Sequence, residues 1–150
     1  MSSRVQVDLA GVLGTTGIPL VVMGTAQLLP MLAALIQGVP GAAALFMGAV
    51  GTALVGFLLL PLRARKKKWT RRESLAGVGF SWFAAIVAAA VPYVVLGETG
   101  LIDALVESAS GLTTTGATIL PDVDGIPAPL HLWRALTHWL GGAGIVLVVL

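Results

Sequence analysis

The chain has 150 residues, of which 57% are hydrophobic and only 11% are charged, and its mean hydropathy is +0.95. Water-soluble domains carry about a quarter charged residues, so this composition excludes an ordinary soluble domain and leaves lipid as the solvent for most of the chain. The absence of cysteine excludes disulfides, thiolate catalysis and cysteine-based metal sites, and the net charge of +2 is informative only through its distribution.

The first apolar stretch covers residues 9–36. It is interrupted only by Gln27 and three threonines, and it contains two prolines, Pro19 and Pro30. Because it is longer than the ~20 residues that a bilayer requires, we predict that it is tilted, kinked or locally broken.

The second apolar stretch begins at Pro40, a residue suited to the first position of a helix, and we predict that it ends at Leu60 because Pro61 follows. Residues 1–62 are therefore predicted to form two N-terminal transmembrane helices. Three glycines in the second stretch are expected to let a neighbouring helix approach closely: Gly48, Gly51 and Gly56.

Residues 63–76 form a basic loop before the third apolar stretch. The loop has seven basic residues and one acidic residue, Glu73, whereas residues 97–131 contain five acidic residues and no lysine or arginine. The positive-inside rule therefore predicts a cytoplasmic loop and N-terminus, with the acidic segment outside. Contact with anionic lipid fits that position. Nucleic-acid binding is not expected, because Trp69 is the loop's only aromatic residue.

The third apolar stretch is predicted to be a helix over residues 78–96. It contains Pro92, so one backbone carbonyl must find a donor elsewhere. A fourth helix is predicted over residues 132–150, and because its apolar run is still uninterrupted at Leu150, we expect the sequence to belong to a longer chain. Three glycines in this helix are expected to serve close packing or a bend: Gly141, Gly142 and Gly144.

Between the third and fourth stretches lies a segment too short and too polar to cross a membrane twice. Its apolar residues recur at helical spacing and predict a helix over residues 101–111, with Thr99 capping its start and Gly111 ending it. Such a helix would span about 16 Å, roughly half of the hydrocarbon core. A short helix between two spanning helices is typical of a re-entrant pore loop.

The short helix is followed by Thr-Thr-Thr-Gly-Ala-Thr, residues 113–118, which we call the filter loop. Irregular backbone at membrane depth is tolerated only inside protein or beside a watery cavity. Potassium filters satisfy this condition with backbone carbonyls, as in the Thr-Val-Gly-Tyr-Gly loop of potassium channels. Aligning the glycines makes Thr114, Thr115 and Gly116 the candidate potassium ligands, with Gly116 able to adopt a positive φ that turns its carbonyl toward the ion path.

Two acidic residues of the short helix, Asp103 and Glu107, are expected to raise the local cation concentration at the outer mouth. For Glu107 the first expectation is a hydrogen-bonded structural carboxylate behind the filter, and direct help with cation attraction is the alternative. Arg134 is expected to snorkel or to pair with Asp122 or Asp124, with a role in pore electrostatics as the alternative. The pairs His131–Trp133 and His138–Trp139 are expected to be interfacial anchors rather than parts of a metal site.

The stretch ESASGLTTTGAT, followed by LHLWRALTHWLGGAGIVLVV, resembles the first pore repeat of the Trk/Ktr/HKT potassium transporter superfamily, most closely its bacterial Trk-type uptake subunits. The resemblance covers essentially the whole chain, but motif-level agreement begins only at Glu107. It implies an all-α membrane protein in which four helix, re-entrant pore loop, helix repeats surround one pore. This chain would hold two extra N-terminal helices and one truncated repeat, residues 77–150. The implied filter residues are Thr113, Thr114, Thr115, Gly116 and Ala117.

The resemblance also implies K⁺ as the transported ion, no bound cofactor and a bacterial inner-membrane location. Implied partners are membrane lipid, the remaining pore repeats or further subunits, a second copy in a homodimer, and a cytosolic nucleotide-binding regulatory subunit of TrkA type. The predicted function is potassium transport without enzymatic chemistry, since the spans contain no constellation of Ser/His/Asp or His/Glu type. The alternative is a noncatalytic membrane assembly module, or a truncated repeat without its own conductance. Preference for K⁺ over Na⁺, and channel against ion-coupled transport, stay open.

Overall fold

The computed structural model describes residues 8–64, 69–96 and 99–149. These residues form eight helices and no β-strand, which together with the apolar spans confirms the prediction of an all-α membrane protein. In chain order the helices are α1 (Leu9–Thr15), α2 (Gly17–Ala26), α3 (Leu28–Gln37), α4 (Ala42–Ala64), α5 (Arg71–Ala89), α6 (Val91–Val95), α7 (Leu101–Leu112) and α8 (Ala128–Val149).

Three helical stretches are long and apolar enough to cross a membrane: Leu9–Gln37, Ala42–Arg63 and Arg71–Val95. They correspond to the first three predicted spans and make this a multi-pass membrane protein. The fourth predicted span falls on α8, which has 22 residues. Its length of about 33 Å is sufficient for a bilayer core of about 30 Å. That α8 crosses the membrane stays a prediction. The predicted N-terminal orientation, the middle of the basic loop and the end of the fourth span involve residues outside the described ranges.

The first apolar stretch forms three consecutive helices and is therefore locally broken, as predicted. The helix is interrupted at Thr16 and at Gln27, each three residues before a proline, Pro19 or Pro30. Proline has no N–H, and its ring clashes with the carbonyl four residues earlier, so each proline interrupts the hydrogen-bond ladder of the helix just before it.

Small residues bring α4 against α2. A Cβ built on Gly17 would lie 2.8 Å from the Gly56 carbonyl oxygen, and one built on Gly56 would lie 2.7 Å from the Gly17 carbonyl oxygen. Such close backbone contact is typical of helix packing in membranes. The predicted role in packing is confirmed for Gly56 and for Gly48, which faces Val91, whereas Gly51 faces open space.

The prediction that Pro61 stops the second helix is wrong. α4 continues through Pro61 and ends at Ala64. A proline removes only the hydrogen bond to the carbonyl four residues earlier, here that of Phe57. The loss of that one bond does not end the helix, and α4 continues for three more residues after Pro61.

α5 begins at Arg71, seven residues earlier than predicted. Thr70 and Glu73 form a capping box, in which the Glu73 carboxylate accepts hydrogen bonds from the Thr70 N–H at 3.0 Å and hydroxyl at 2.8 Å. The same buried carboxylate accepts from the Asp8 N–H at 2.9 Å, which ties the start of α5 to the start of α1. The predicted loop over residues 63–76 is thus helical at both of its ends.

The third span consists of α5 and α6, and Pro92 lies at the start of α6. Pro92 cannot donate to the Ala88 carbonyl, and Gln27 Nε2 donates to that carbonyl instead, at 2.8 Å. The prediction that the freed carbonyl finds another donor is confirmed. Trp133 Nε1 of α8 donates to the adjacent Ala89 carbonyl at 2.8 Å, so two distant side chains stabilise this break.

Replacing Gln27 by Met should destabilise the protein by about 1–3 kcal/mol, because the buried Ala88 carbonyl would lose its donor. The matched control is Thr25→Val, since the exposed Thr25 hydroxyl bonds only within its own helix. The measurement is the midpoint of thermal unfolding of the purified protein in detergent. Equal midpoints for the two variants would contradict the proposed stabilisation of the break.

Candidate functional site

The short helix α7 differs from its prediction at both ends. Its N-cap is Gly100, while the buried Thr99 hydroxyl makes no hydrogen bond within the described part of the chain. At the other end the helix passes through Gly111 and ends at Leu112. Gly111 is needed for packing rather than for termination, since a Cβ there would collide with Thr137 of α8.

α7 ends in a Schellman motif with Thr113 as the C-cap. The Thr114 N–H donates to the Gly111 carbonyl at 3.0 Å, and the Thr115 N–H donates to the Ser110 carbonyl at 3.0 Å. The motif requires a left-handed residue after the C-cap, and Thr114 accordingly has φ of 56°. Glycine usually occupies this position. A β-branched residue there stores strain on the order of 1–3 kcal/mol.

The filter loop exposes a row of carbonyls. φ is positive at Thr114 and at Gly116, where it is 76°, but not at Thr115 between them, so the predicted positive φ of the glycine is confirmed. Among the described residues, no donor bonds to the carbonyls of these three residues. The Ala117 carbonyl differs, because it accepts from Ser110 Oγ at 2.5 Å. The loop therefore presents three unpartnered carbonyls followed by one that is anchored to α7.

The filter loop runs along α8 in the opposite chain direction. Every second loop residue meets every fourth residue of α8: Thr114 faces Gly142, Gly116 faces His138, and Thr118 Oγ1 accepts from Arg134 Nη1 at 3.2 Å. The loop is thus a non-helical segment lying against one face of α8.

The position of these contacts along α8 gives the depth of the loop. Arg134 lies about 9 Å and Gly142 about 21 Å from the first residue of the helix, at 1.5 Å per residue. The filter loop therefore lies beside the middle of α8 and not beyond its end. The first residue of α8, Ala128, comes four residues before the predicted start.

A buried ion pair holds the far end of the filter loop. Glu107 of α7 is 2% exposed and pairs with Arg134 of α8. The other carboxylate oxygen of Glu107 accepts from Thr118 Oγ1 at 2.6 Å and from the Ile119 N–H at 2.8 Å. A buried charge is stable only when it is paired and hydrogen-bonded. This network meets both conditions, and it joins the short helix, the loop and α8.

The network bears on the predictions made for three charged residues, Arg134, Glu107 and Asp103. Arg134 pairs with Glu107 and not with Asp122 or Asp124, because the fold brings α7 and α8 together. The geometry of Glu107 fits the expectation of a hydrogen-bonded structural carboxylate behind the filter. Asp103 is exposed in the first turn of α7, away from the loop, and its effect on the local cation concentration stays a prediction.

Two of the expected interfacial anchors have other contacts. Trp133 is fully buried and bonds to α5. His138 Nδ1 donates to the Arg134 carbonyl at 2.8 Å, which leaves its Nε2 facing Gly116 of the filter loop. Arg134, His138 and Gly142 are four residues apart and share one face of α8. That spacing could have identified these loop contacts from the sequence.

In the described ranges no three His, Cys, Asp or Glu residues are arranged to bind a metal.

The structural features define a multi-pass all-α membrane protein in which a short helix and a non-helical loop pack against a long helix. An uncharacterized cation transporter of Methanocaldococcus jannaschii is 27% identical over 94% of this chain and 30% of its own length. The Trk system potassium uptake protein TrkH of Salmonella typhimurium is 33% identical over 88% of this chain and 28% of its own length. TrkH of Halomonas elongata is 35% identical over 66% of this chain and 20% of its own length. No family model and no solved structure matches.

Over the stretch that it covers, the chain belongs to the Trk potassium transporter family. It spans less than a third of the length of these relatives.

Glu107→Gln should destabilise the protein by about 3 kcal/mol, because Arg134 would keep its charge without a buried partner. Asp103→Asn on the exposed side of the same helix is the control and should have little effect. Thermal unfolding of the purified protein compares the two variants. An unfolding midpoint for Glu107→Gln as high as that of the control would show that the ion pair does not hold the loop.

Gly141→Ala should displace the end of α7, since a Cβ at Gly141 would collide with the Leu112 carbonyl. Gly142→Ala is the matched control, because its Cβ would lie 3.9 Å from Thr114 Cγ2, an ordinary contact distance. We expect Gly141→Ala to lower the unfolding midpoint and Gly142→Ala to leave it nearly unchanged. The reverse order would contradict the packing of α7 on α8.

Proposed function

We propose that this chain supplies one pore-lining repeat of a potassium uptake pathway. In this proposal the carbonyls of Thr114, Thr115 and Gly116 replace water around K⁺. The observation that carries the proposal is the row of three unpartnered carbonyls on a non-helical loop beside the middle of α8. Two of the relatives are named potassium uptake proteins, which supports K⁺ as the cargo.

The backbone of the filter loop supports ion coordination. A chain whose φ changes sign from residue to residue turns consecutive carbonyls toward one side, as a row of ion ligands requires. The loop has positive φ at Thr114 and Gly116 and not at Thr115. The strained φ of Thr114 also fits a functional site, since surrounding structure must hold it in place.

The residues at the two ends of the loop act as its anchors in this proposal. The Thr113 hydroxyl lies 2.8 Å from that of Thr115 and donates to the Ala109 carbonyl at 2.7 Å, so it orders the side chain above it. Ala117 completes the implied filter, but its carbonyl is held by Ser110.

Charge around the loop favours cations. The carbonyl end of α7 carries partial negative charge, and it ends at the loop. The acidic segment that contains Asp103 would concentrate cations at the outer mouth, while the basic loop and the N-terminus lie in the cytoplasm. The proposal includes a bacterial inner-membrane location. It also includes further repeats, a homodimer and a cytosolic nucleotide-binding regulatory subunit of TrkA type, as the resemblance implies.

Substitution of Gly116 tests this function. Gly116→Ser introduces a side chain at φ of 76°, where non-glycine residues are strained, and should rotate the carbonyl away from the ion. We expect rubidium uptake by potassium-starved cells expressing the protein to fall at least about tenfold, the change that ~1.4 kcal/mol of lost stabilisation produces. Gly79→Ser is the matched control, because Gly79 is helical and has open space around it.

Normal uptake by the Gly116→Ser variant, at an unchanged membrane level of the protein, would contradict the pore proposal. It would favour the alternative of a noncatalytic assembly module.

A further inference from the structure

A groove lies between the first span, α5 and α8, and it reaches Leu112 at the end of α7. Its volume is about 650 Å³, within the range of roughly 300–1,000 Å³ for small-molecule sites. The lining is mainly apolar and includes Ile18, Val22, Val78, Trp82 and Leu140.

One end of the groove is basic. Arg63 and Trp69 line it there, together with Ser74 of the first turn of α5. Arg71 and Arg72 are exposed in the first turn of α5, and the buried Glu73 follows them before Ser74. This end therefore offers positive charge and an aromatic ring, the combination found where membrane helices meet lipid headgroups.

The other end of the groove reaches the base of the filter loop. Leu112, the residue just before the loop, lines it together with Gly141 of α8. Along α5 the lining runs from Ser74 to Ala85, a distance of about 16 Å at 1.5 Å per residue, or roughly half of a 30 Å hydrocarbon core. The groove thus has the length of one lipid leaflet.

The groove wall offers few groups to a polar ligand. The Thr15 hydroxyl donates to the Val12 carbonyl at 2.6 Å, and Ser81 Oγ lies 3.4 Å from the Thr15 hydroxyl. Ile18 and Val22 are 46% and 44% exposed, so within the described part of the chain the groove is open along one side.

We propose that this groove binds one acyl chain of an anionic phospholipid from the leaflet at its basic end. The phosphate lies at Arg63, and the chain extends along the apolar wall to Leu112. Charge complementarity selects the anionic headgroup, and the length, apolar wall and lateral opening select an acyl chain. Because Leu112 packs on Gly141 directly before the filter loop, the bound lipid supports the base of that loop.

Photoactivatable lipids test this site. The purified protein is reconstituted in phosphatidylcholine vesicles containing a trace of phosphatidylglycerol with an acyl-chain diazirine, irradiated and digested, and the labelled peptides are identified by mass spectrometry. Labelling should concentrate on residues 74–85 and 140–144. The same probe with a phosphatidylcholine headgroup should label these peptides less, and equal labelling by both probes would overturn the anionic selectivity.

Two variants sharpen the test. Ala143→Phe places a ring in the groove and should abolish the labelling, whereas Ala135→Phe, on an exposed position of α8 outside the groove, should not. Arg63→Gln should reduce the preference for phosphatidylglycerol about fivefold, the factor expected for one basic residue at an anionic surface. Labelling that persists in Ala143→Phe, or wild-type protein without labelling in this groove, would overturn the proposal. The lipid site does not depend on ion conduction, so rubidium uptake tests the proposed function separately.

Discussion

The buried contact between Glu107 and Arg134 is the constraint on which the arrangement of the filter loop depends. Glu107 lies on α7, the helix before the loop. Its carboxylate accepts hydrogen bonds from Thr118 and Ile119 at the far end of the loop and pairs with Arg134 of α8. An exposed pair of the same residues would contribute little. A buried charge without its partner would be strongly unfavourable, and α7, the loop and α8 are therefore held in one relative position. The strained φ of Thr114 persists because both ends of the loop are fixed in this way.

The proline breaks show a second constraint, which comes from the membrane. No water is present in the bilayer core to satisfy a freed carbonyl, so a proline in a spanning helix requires a donor from elsewhere in the protein. Gln27 and Trp133 supply these donors to Ala88 and Ala89. Gln27 itself lies at a break in the first span. The break in the first span thus contacts the break in the third span, and the indole N–H of Trp133 connects α8 to the same place.

The contact of α7 with α8 connects the filter loop to the groove. Gly111 and Gly141 let the helices approach until the backbone of Leu112 touches α8. The same residue ends the short helix, precedes the loop and lines the groove. Only Thr113 therefore separates the groove from the first unpartnered carbonyl of the filter loop, that of Thr114.

The sequence by itself determined the membrane class, the first three spans, the short helix and the positive φ of Gly116, because these follow from composition, helical spacing and the properties of glycine. It also indicated that Pro92 would need a donor. Only the tertiary structure decided that the donor is Gln27, that Arg134 pairs with Glu107, and that the Ala117 carbonyl is held by Ser110 while its neighbours are unpartnered. Arg134 and Glu107 are 27 positions apart. Local pattern sets which residues form helices, but partners at such separations depend on how the helices pack.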